Sequence, residues 1–252
     1  NSIVMHVYSL VFDWCVDVIN DYIAAGSFAT CVGILDIFGF ENFSLNSFPQ
    51  LCINFTNESL HNLFIEHVFK LEQETYVREE VDWQFVDYED NQPTLDLIAR
   101  RPLCILGLLD EGSGAGGGKD ATVLQTFHAT FKDPKRHRAY VVPKKSADRT
   151  FVLAHYAGEV VYAIEGWIEK NKDELSHDIL ELLTRTTTFE NLARLAAHDI
   201  EKKADADAAA AAGKKKKGGG GGKKKKTVSK TFGDSLTALM TKLRATEHHY
   251  IR

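Results

Sequence analysis

Cysteine, proline and methionine are scarce in this chain: four, five and two residues among 252. Cys15, Cys31, Cys52 and Cys104 lie far apart with no CxxC pair, which argues against a disulfide framework or a zinc site and fits a reducing compartment. No run approaches the length of a membrane span, and no signal peptide is visible. A hydrophobic share of 44% and a charged share of 26% are ordinary for a soluble globular protein. The length suffices for one large or two small cores. The chain begins Asn1-Ser2-Ile3, without methionine, and reads as a piece of something longer.

Positive charge is densest in one place. Lys214, Lys215, Lys216 and Lys217, then Lys223, Lys224, Lys225 and Lys226, supply eight of the 30 basic residues. Without them, 22 bases face 35 acids, so the body is strongly acidic. Residues 201–226, an alanine-rich run followed by the lysine and glycine blocks, cannot bury enough apolar surface to order themselves and read as a disordered loop.

The stretch around which the rest is organised is Val32-Gly33-Ile34-Leu35-Asp36-Ile37-Phe38-Gly39-Phe40-Glu41. Val32 to Ile37 has the length and composition of a strand buried on both faces. Asp36 near its C-terminal end stands where open α/β sheets place ligands, and a carboxylate there is costly to bury without a partner. Gly39 leaves room for close backbone approach. Glu41 is a second acid at the same mouth. Ser47-Phe48-Pro49-Gln50 reads as a capping box with proline in the first turn, opening a helix from about Phe48 to Glu80, roughly 45 Å long. Leu60, Phe64, Val68 and Leu71 make its expected apolar stripe. By layout alone, a buried strand, a turn and a helix is more often plain scaffold.

The identity of the residues adds to that layout. Asp36-Ile37-Phe38-Gly39-Phe40-Glu41 resembles the switch II motif of the myosin motor head, and Leu51-Cys52-Ile53-Asn54-Phe55-Thr56-Asn57-Glu58 resembles the start of the myosin relay helix. A second cluster, His155-Tyr156-Ala157-Gly158 with Gly166-Trp167 and Lys170-Asn171-Lys172-Asp173, resembles the same family in residues and spacing. The resemblance runs, with gaps, from about Tyr8 to Arg252. It implies a predominantly helical α/β fold, the lower half of a myosin head: a long relay helix after a buried strand, a small β-hairpin and a disordered lysine/glycine loop. Five stretches of one subdomain follow: 1–31, a helix leading into switch II; 32–92, switch II, relay helix and relay loop; 93–200, an actin-binding helix-loop-helix, hairpin and helix; 201–226, loop 2; 227–252, a closing helix.

Within that frame, residues 1–24 read as a core helix on the stripe Val4, Val7, Tyr8, Val11, Phe12, Cys15, Val18, Ile19 and Tyr22. Asp82 to Asn91 resembles the relay loop. Residues 94–110 suggest two short helices split at Pro102. Where myosins carry an apolar tip, this chain has Gly112 to Asp120, which buries little on a partner. Gly118-Lys119 there imitates a P-loop, but Ser113 stands where the first glycine belongs and Asp120 where the hydroxyl belongs. Residues 132–149 are basic and turn-rich: a solvated loop, or an auxiliary contact to an acidic filament. Phe151 to Ile164 reads as a hairpin. His155 and Trp167 read as architecture, since no nucleophile or paired acid accompanies them. A helix is expected from about Asp173 to Ala197, and another on the stripe Val228, Phe232, Leu236, Leu239 and Leu243. His248 and His249 lack a metal-ligand spacing.

The resemblance implies an actin-activated ATPase in the intact protein, using ATP and Mg2+, in the cytoplasm on the actin cytoskeleton. Asp36 would stand in the second shell of Mg2+; Phe38 and Gly39 would face the γ-phosphate, with the Gly39 N–H donating to it; Glu41 would pair with a switch I arginine. Pro102, Leu103 and the eight lysines would meet actin. The P-loop, switch I and the converter are absent from this sequence, so the chain alone is expected to bind no nucleotide and to be inactive. The alternative is a stand-alone actin-binding module without nucleotide hydrolysis. Nucleic acid is disfavoured, because the body is acidic and no aromatics interleave the lysines.

Overall fold

The computed structural model describes residues 2–24, 26–27, 29–84, 88, 90–114, 118–143, 149–172, 177–186, 190–212 and 227–250. The chain divides into two units, Asn1–Leu35 with Asp173–Lys225, and Asp36–Lys172 with Lys226–Arg252. Both lysine blocks, Lys144 and Lys145, and Phe85, Val86, Asp87 and Glu89 of the expected relay loop lie outside the described residues.

The first unit is helical. Its helix α1 spans Ser2–Ile23, as the periodicity indicates. The core reading of its apolar stripe is corrected: Leu10 is the residue buried, while Val4, Tyr8, Phe12, Ile19 and Tyr22 stay exposed. The reading that no run approaches a membrane span is corrected too. Ile3–Ile23 is long and apolar enough by length and composition alone. Asp13, Asp17 and Asp21 recur every four residues on one side of it, a costly face to present to lipid. The single helix expected from Asp173 to Ala197 is two, α8 at His177–Thr184 and α9 at Glu190–Ala212. The alanine-rich run up to Ala212 is therefore helical rather than disordered, because alanine is the best helix former and extends a helix already nucleated upstream.

In the second unit the long helix starts where the capping box puts it. The Gln50 Oε1 accepts from the Ser47 N–H at 3.0 Å, and Pro49 sits in the first turn. It is not one uninterrupted α-helix: α2 at Phe48–Ile65 passes through a π-helical turn, Glu66–Leu71, into α3 at Glu72–Arg78. It ends on a Schellman pattern, with Glu80 at φ 55° and the Val81 N–H bonded to the Tyr76 carbonyl at 3.0 Å. Its inward face is not the expected stripe. Phe48, Leu51, Asn54, Phe55 and Glu58 are buried, whereas Leu60, Phe64 and Val68 are half-buried.

The remaining elements are α4 (Gln92–Ala99), α5 (Ile105–Gly112), α6 (Asp120–Phe131), β1 (Tyr140–Val141), β2 (Thr150–His155), β3 (Gly158–Ala163), α7 (Trp167–Asn171) and α10 (Val228–Arg244). The pair split at Pro102 and the hairpin match the sequence reading. The edge strand β1 falls within the stretch read as a turn-rich loop, and α6 follows directly on the glycine run. The sheet is antiparallel in the order β1-β2-β3, with Phe151 opposite Tyr162 and Leu153 opposite Val160. Its period of two turns Phe151, Leu153 and His155 to one buried face. Trp167 fills the centre of the core, with its ring 5.5 Å from Phe48, 5.4 Å from Phe151 and 6.4 Å from both Phe127 and Tyr162. Its Nε1–H donates to the Ala163 carbonyl at 2.7 Å.

The described glycines of the expected tip are structural. A Cβ on Gly112 would stand 2.5 Å from Val123 Cγ2, and one on Gly118 would stand 2.1 Å from the Gly112 carbonyl oxygen. Beside them, the Asp120 carboxylate accepts from the Gly166 and Ile168 N–H groups at 2.7 and 3.0 Å, capping the entry to α7. A residue that spoils a Walker pattern thus has a local task of its own.

Two outcomes are expected. Trp167→Ala should lower the unfolding free energy in a urea titration by about 3–5 kcal/mol, against less than about 1 kcal/mol for Val161→Ala on the exposed face of β3. Burial pushes the Cys52 thiol up to about 12, while Cys31 is exposed. A maleimide at pH 8 should label Cys31 at least about tenfold faster than Cys52, because the thiolate is the reacting species. The raised thiol contributes stability below its unfolded value, and that contribution is lost as the pH climbs towards 12.

Candidate functional site

The strand expected for Val32–Ile37 is not formed. Val32 and Ile34 are 91% and 89% exposed, and the described sheet lies elsewhere, between residues 140 and 163. A strand's N–H and C=O groups need a ladder partner, and apolar composition supplies none. Asp36 is accordingly exposed, so the cost of burying its carboxylate does not arise. Phe38 is exposed as well, and nothing lies within 4 Å of the place a Cβ would take on Gly39.

From Phe40 onward the stretch is held. The Asn54 side chain of α2 pairs with the Glu41 backbone as a neighbouring strand would. The Glu41 N–H donates to Asn54 Oδ1, and Asn54 Nδ2 donates to the Glu41 carbonyl, both at 2.8 Å. The Glu41 side chain accepts from Gln50 Nε2 at 3.3 Å. One turn further along α2, Asn57 Nδ2 donates to the Phe38 carbonyl at 3.0 Å. Asn46, 2% exposed, ties the following loop to β3: its Nδ2 donates to the Val161 carbonyl at 3.1 Å, and its own carbonyl accepts from the Ala163 N–H at 2.8 Å.

Behind Asn54 lies a buried polar cluster. Asn54 Nδ2 also donates to the Tyr162 hydroxyl at 2.9 Å. That hydroxyl lies 2.9 Å from His155 Nε2, and His155 Nδ1 lies 2.8 Å from Glu58 Oε2. Both side chains of the Glu58–His155 pair are fully buried. This corrects the reading that no paired acid accompanies His155. Glu58 also accepts from Asn91 Nδ2 at 2.7 Å and from the Tyr156 N–H at 3.3 Å. Asn91 is the N-cap of α4, and its Oδ1 accepts from Asn62 Nδ2 at 2.9 Å. Burial pushes the Tyr162 phenol well above its ordinary range, so it stays protonated. His61 stacks on Tyr156 with ring centroids 4.0 Å apart, and Phe40 meets the Tyr156 and His155 rings edge-on. Burial lowers the His61 pKa, with the Glu58 charge opposing, so the stacked ring is the neutral imidazole near pH 7. The sequence signal for this cluster was a polar pair, Asn54 and Glu58, spaced by four on a face otherwise made of Phe48, Leu51 and Phe55.

The two stretches expected to face a partner end on one carboxylate. Pro102 and Leu103 are exposed at the turn between α4 and α5. Arg101 there pairs with Asp110 Oδ2 at 3.1 Å. Thr227, the first described residue after the lysine blocks, donates its hydroxyl to Asp110 Oδ1 at 2.5 Å, and the Ser229 hydroxyl donates to the same oxygen. Asn171 Oδ1 accepts from the Ser229 N–H at 2.8 Å, and Asn171 Nδ2 donates to Ser113 Oγ at 3.1 Å. The lysines themselves lie outside the described residues. Among the described residues no group of three or more His, Cys, Asp or Glu could hold a metal.

The sequence pattern of the family described as myosin head (motor domain) matches residues 1–252, the whole chain. Among similar proteins, "Myosin-2" of Lachancea kluyveri is 41% identical over 256 residues, covering 100% of this chain and 16% of its own length. "Myosin-I heavy chain" of Dictyostelium discoideum is 42% identical over 253 residues, covering 100% of this chain and 10% of its own. "Unconventional myosin heavy chain 6" of Caenorhabditis elegans is 41% identical over 248 residues, covering 98% of this chain and 11% of its own. The chain thus spans less than a fifth of the length of these relatives. Matched along its entire length, this chain belongs to the myosin head (motor domain) family.

Proposed function

We infer that this chain is the part of a myosin motor that senses the γ-phosphate of ATP and meets the actin filament, with residues 36–41 as switch II, Phe48–Arg78 as the relay helix and the lysine blocks as loop 2. The observation that carries the reading is the strand-like pairing of Asn54 with the Glu41 backbone, which docks an exposed acidic loop on the first turns of a long helix. A loop held at one end and open at the other can change state and pass the change to the helix.

The exposed residues fit magnesium and a phosphate. Asp36 offers an unburied carboxylate on the cation side, and Gly39 offers a backbone that an anion can approach without meeting a side chain. Bound MgATP would supply the electrophilic phosphorus and the charge that Asp36, Phe38 and Gly39 read. The Gly39 N–H would donate to the γ-phosphate. Glu41, kept at the mouth by Gln50 and Asn54, would pair with an arginine elsewhere in the motor and help to hold water. Turnover belongs to the intact motor; this chain by itself is expected to bind no nucleotide.

Actin would be met by Pro102, Leu103 and the eight lysines, in the cytoplasm. Support comes from Asp110, which binds both Arg101 beside Pro102 and Thr227 beside Lys226. The lysines act over about 8 Å at physiological salt and raise encounter more than final affinity.

Cosedimentation with actin filaments across a salt series tests the actin reading. The parent chain should bind at low salt and release as salt rises. Changing all eight lysines to glutamine should weaken low-salt binding by about tenfold or more. A folded parent that stays in the supernatant at low salt ends the actin assignment. In the intact motor, Glu41→Gln should lower ATP turnover by about a hundredfold while ATP is still bound; unchanged turnover ends the switch assignment.

A further inference from the structure

With an acceptor required for every buried hydrogen, the hydrogens of the cluster have one assignment. The two bonds between Asn54 and the Glu41 backbone fix which end of the amide is NH2. The second hydrogen of that NH2 therefore points at the Tyr162 oxygen. The single phenolic proton is then left for His155 Nε2, which must be an acceptor. His155 consequently carries its ring hydrogen on Nδ1 and donates it to Glu58. Glu58 is a carboxylate receiving only donors: His155 Nδ1–H, Asn91 Nδ2 and the Tyr156 N–H. Each member has one arrangement, and each arrangement is set by its neighbour.

We propose that Glu58, acting through His155 and Tyr162, is a positioning residue for the Asp36–Glu41 loop, and that the same carboxylate sets the start of α4 through Asn91. Its functional weight rests on the reading of that loop as a nucleotide switch. Asn91 Nδ2, fixed as a donor by its further bond to the Glu58 carbonyl, and the Tyr156 N–H both face Oε1, so a Glu58 that loses one acceptor loses it at Oε2, and His155 must move its hydrogen to Nε2 to keep a partner. The Tyr162 hydroxyl then faces two donors, His155 and Asn54, with no acceptor for its own proton. The conflict falls on Asn54, whose only escape is to loosen its hold on the Glu41 backbone. A purely architectural Glu58 would instead pin the hairpin turn to α2, and its loss would be felt at Tyr156 and Asn91 but not at Glu41.

The test is amide hydrogen exchange at Glu41, together with the ring-nitrogen NMR signals of His155, in this chain and its variants. Glu58→Gln keeps the shape while its new amide turns one acceptor into a donor. It should move the His155 proton from Nδ1 to Nε2 and speed Glu41 exchange by about tenfold, the loss of one ordinary hydrogen bond. Tyr162→Phe cuts the chain. The His155 tautomer should then stay on Nδ1, and adding Glu58→Gln should bring no further change at Glu41. A switched tautomer with unaltered Glu41 exchange overturns the proposal. So does a Glu58→Gln effect of equal size in the Tyr162→Phe background. If Glu58→Gln does not fold, Tyr162→Phe alone decides: the Glu41 amide must exchange at least about threefold faster while the Leu153 amide in β2 does not. These readouts need neither actin nor nucleotide, so failure here leaves the motor assignment standing, and failure of that assignment leaves this connectivity intact.

Discussion

The second unit depends on one buried carboxylate. A charge taken out of water costs several kcal/mol, and only a full set of donors offsets that cost. Glu58 has that set, and the donors come from three places: β2 through His155, the hairpin turn through the Tyr156 N–H, and the entry to α4 through Asn91. None of these elements can shift without leaving an acceptor unpaired. The cluster therefore fixes where α2, the hairpin and α4 meet, while the aromatic core around Trp167 supplies the bulk of the apolar burial.

The same device recurs in smaller form. Asp120 caps α7 across 46 residues of sequence, and Asp110 gathers Arg101, Thr227 and Ser229. Each acid binds backbone or hydroxyl donors at a point where an element begins. Helix ends carry unpaired N–H groups, so an acid placed there serves the helix and fixes the loop leading into it. The acidic excess of the body is thus partly structural, in contrast to the eight lysines that are the chain's concentrated positive charge.

The polar cluster and the apolar core meet along α2. Its buried face carries Phe48, Leu51 and Phe55 for the core, with Asn54 and Glu58 among them for the polar cluster. Asn54 is the shared residue, with one hand on the Glu41 backbone and one hydrogen on Tyr162. In a motor of this family, a loop that reads a phosphate would need such an anchor at one end and freedom at the other. Asp36, Phe38 and Gly39 are exposed while Glu41 is bound on both its backbone groups.

By itself the sequence determined the family, through residue identities in the Asp36–Glu41, Leu51–Glu58 and His155–Asp173 stretches, and the elements whose signals are local: the capping box at Ser47, the break at Pro102, the hairpin and the α10 stripe. Those signals are local because caps, turns and periodicity act over a few residues. Tertiary structure alone decided the rest. Val32–Ile37 has strand composition without a ladder partner among the described residues, and composition cannot supply one. The apolar stripe Leu60, Phe64, Val68 lost the deepest position to a face containing Asn54 and Glu58, because partners 97 and 108 residues away satisfy those polar groups. His155 read as an unaccompanied histidine since its acid lies on another element. Burial of a polar group is favourable or costly according to its partners, and partners distant in sequence are visible only once the chain is folded.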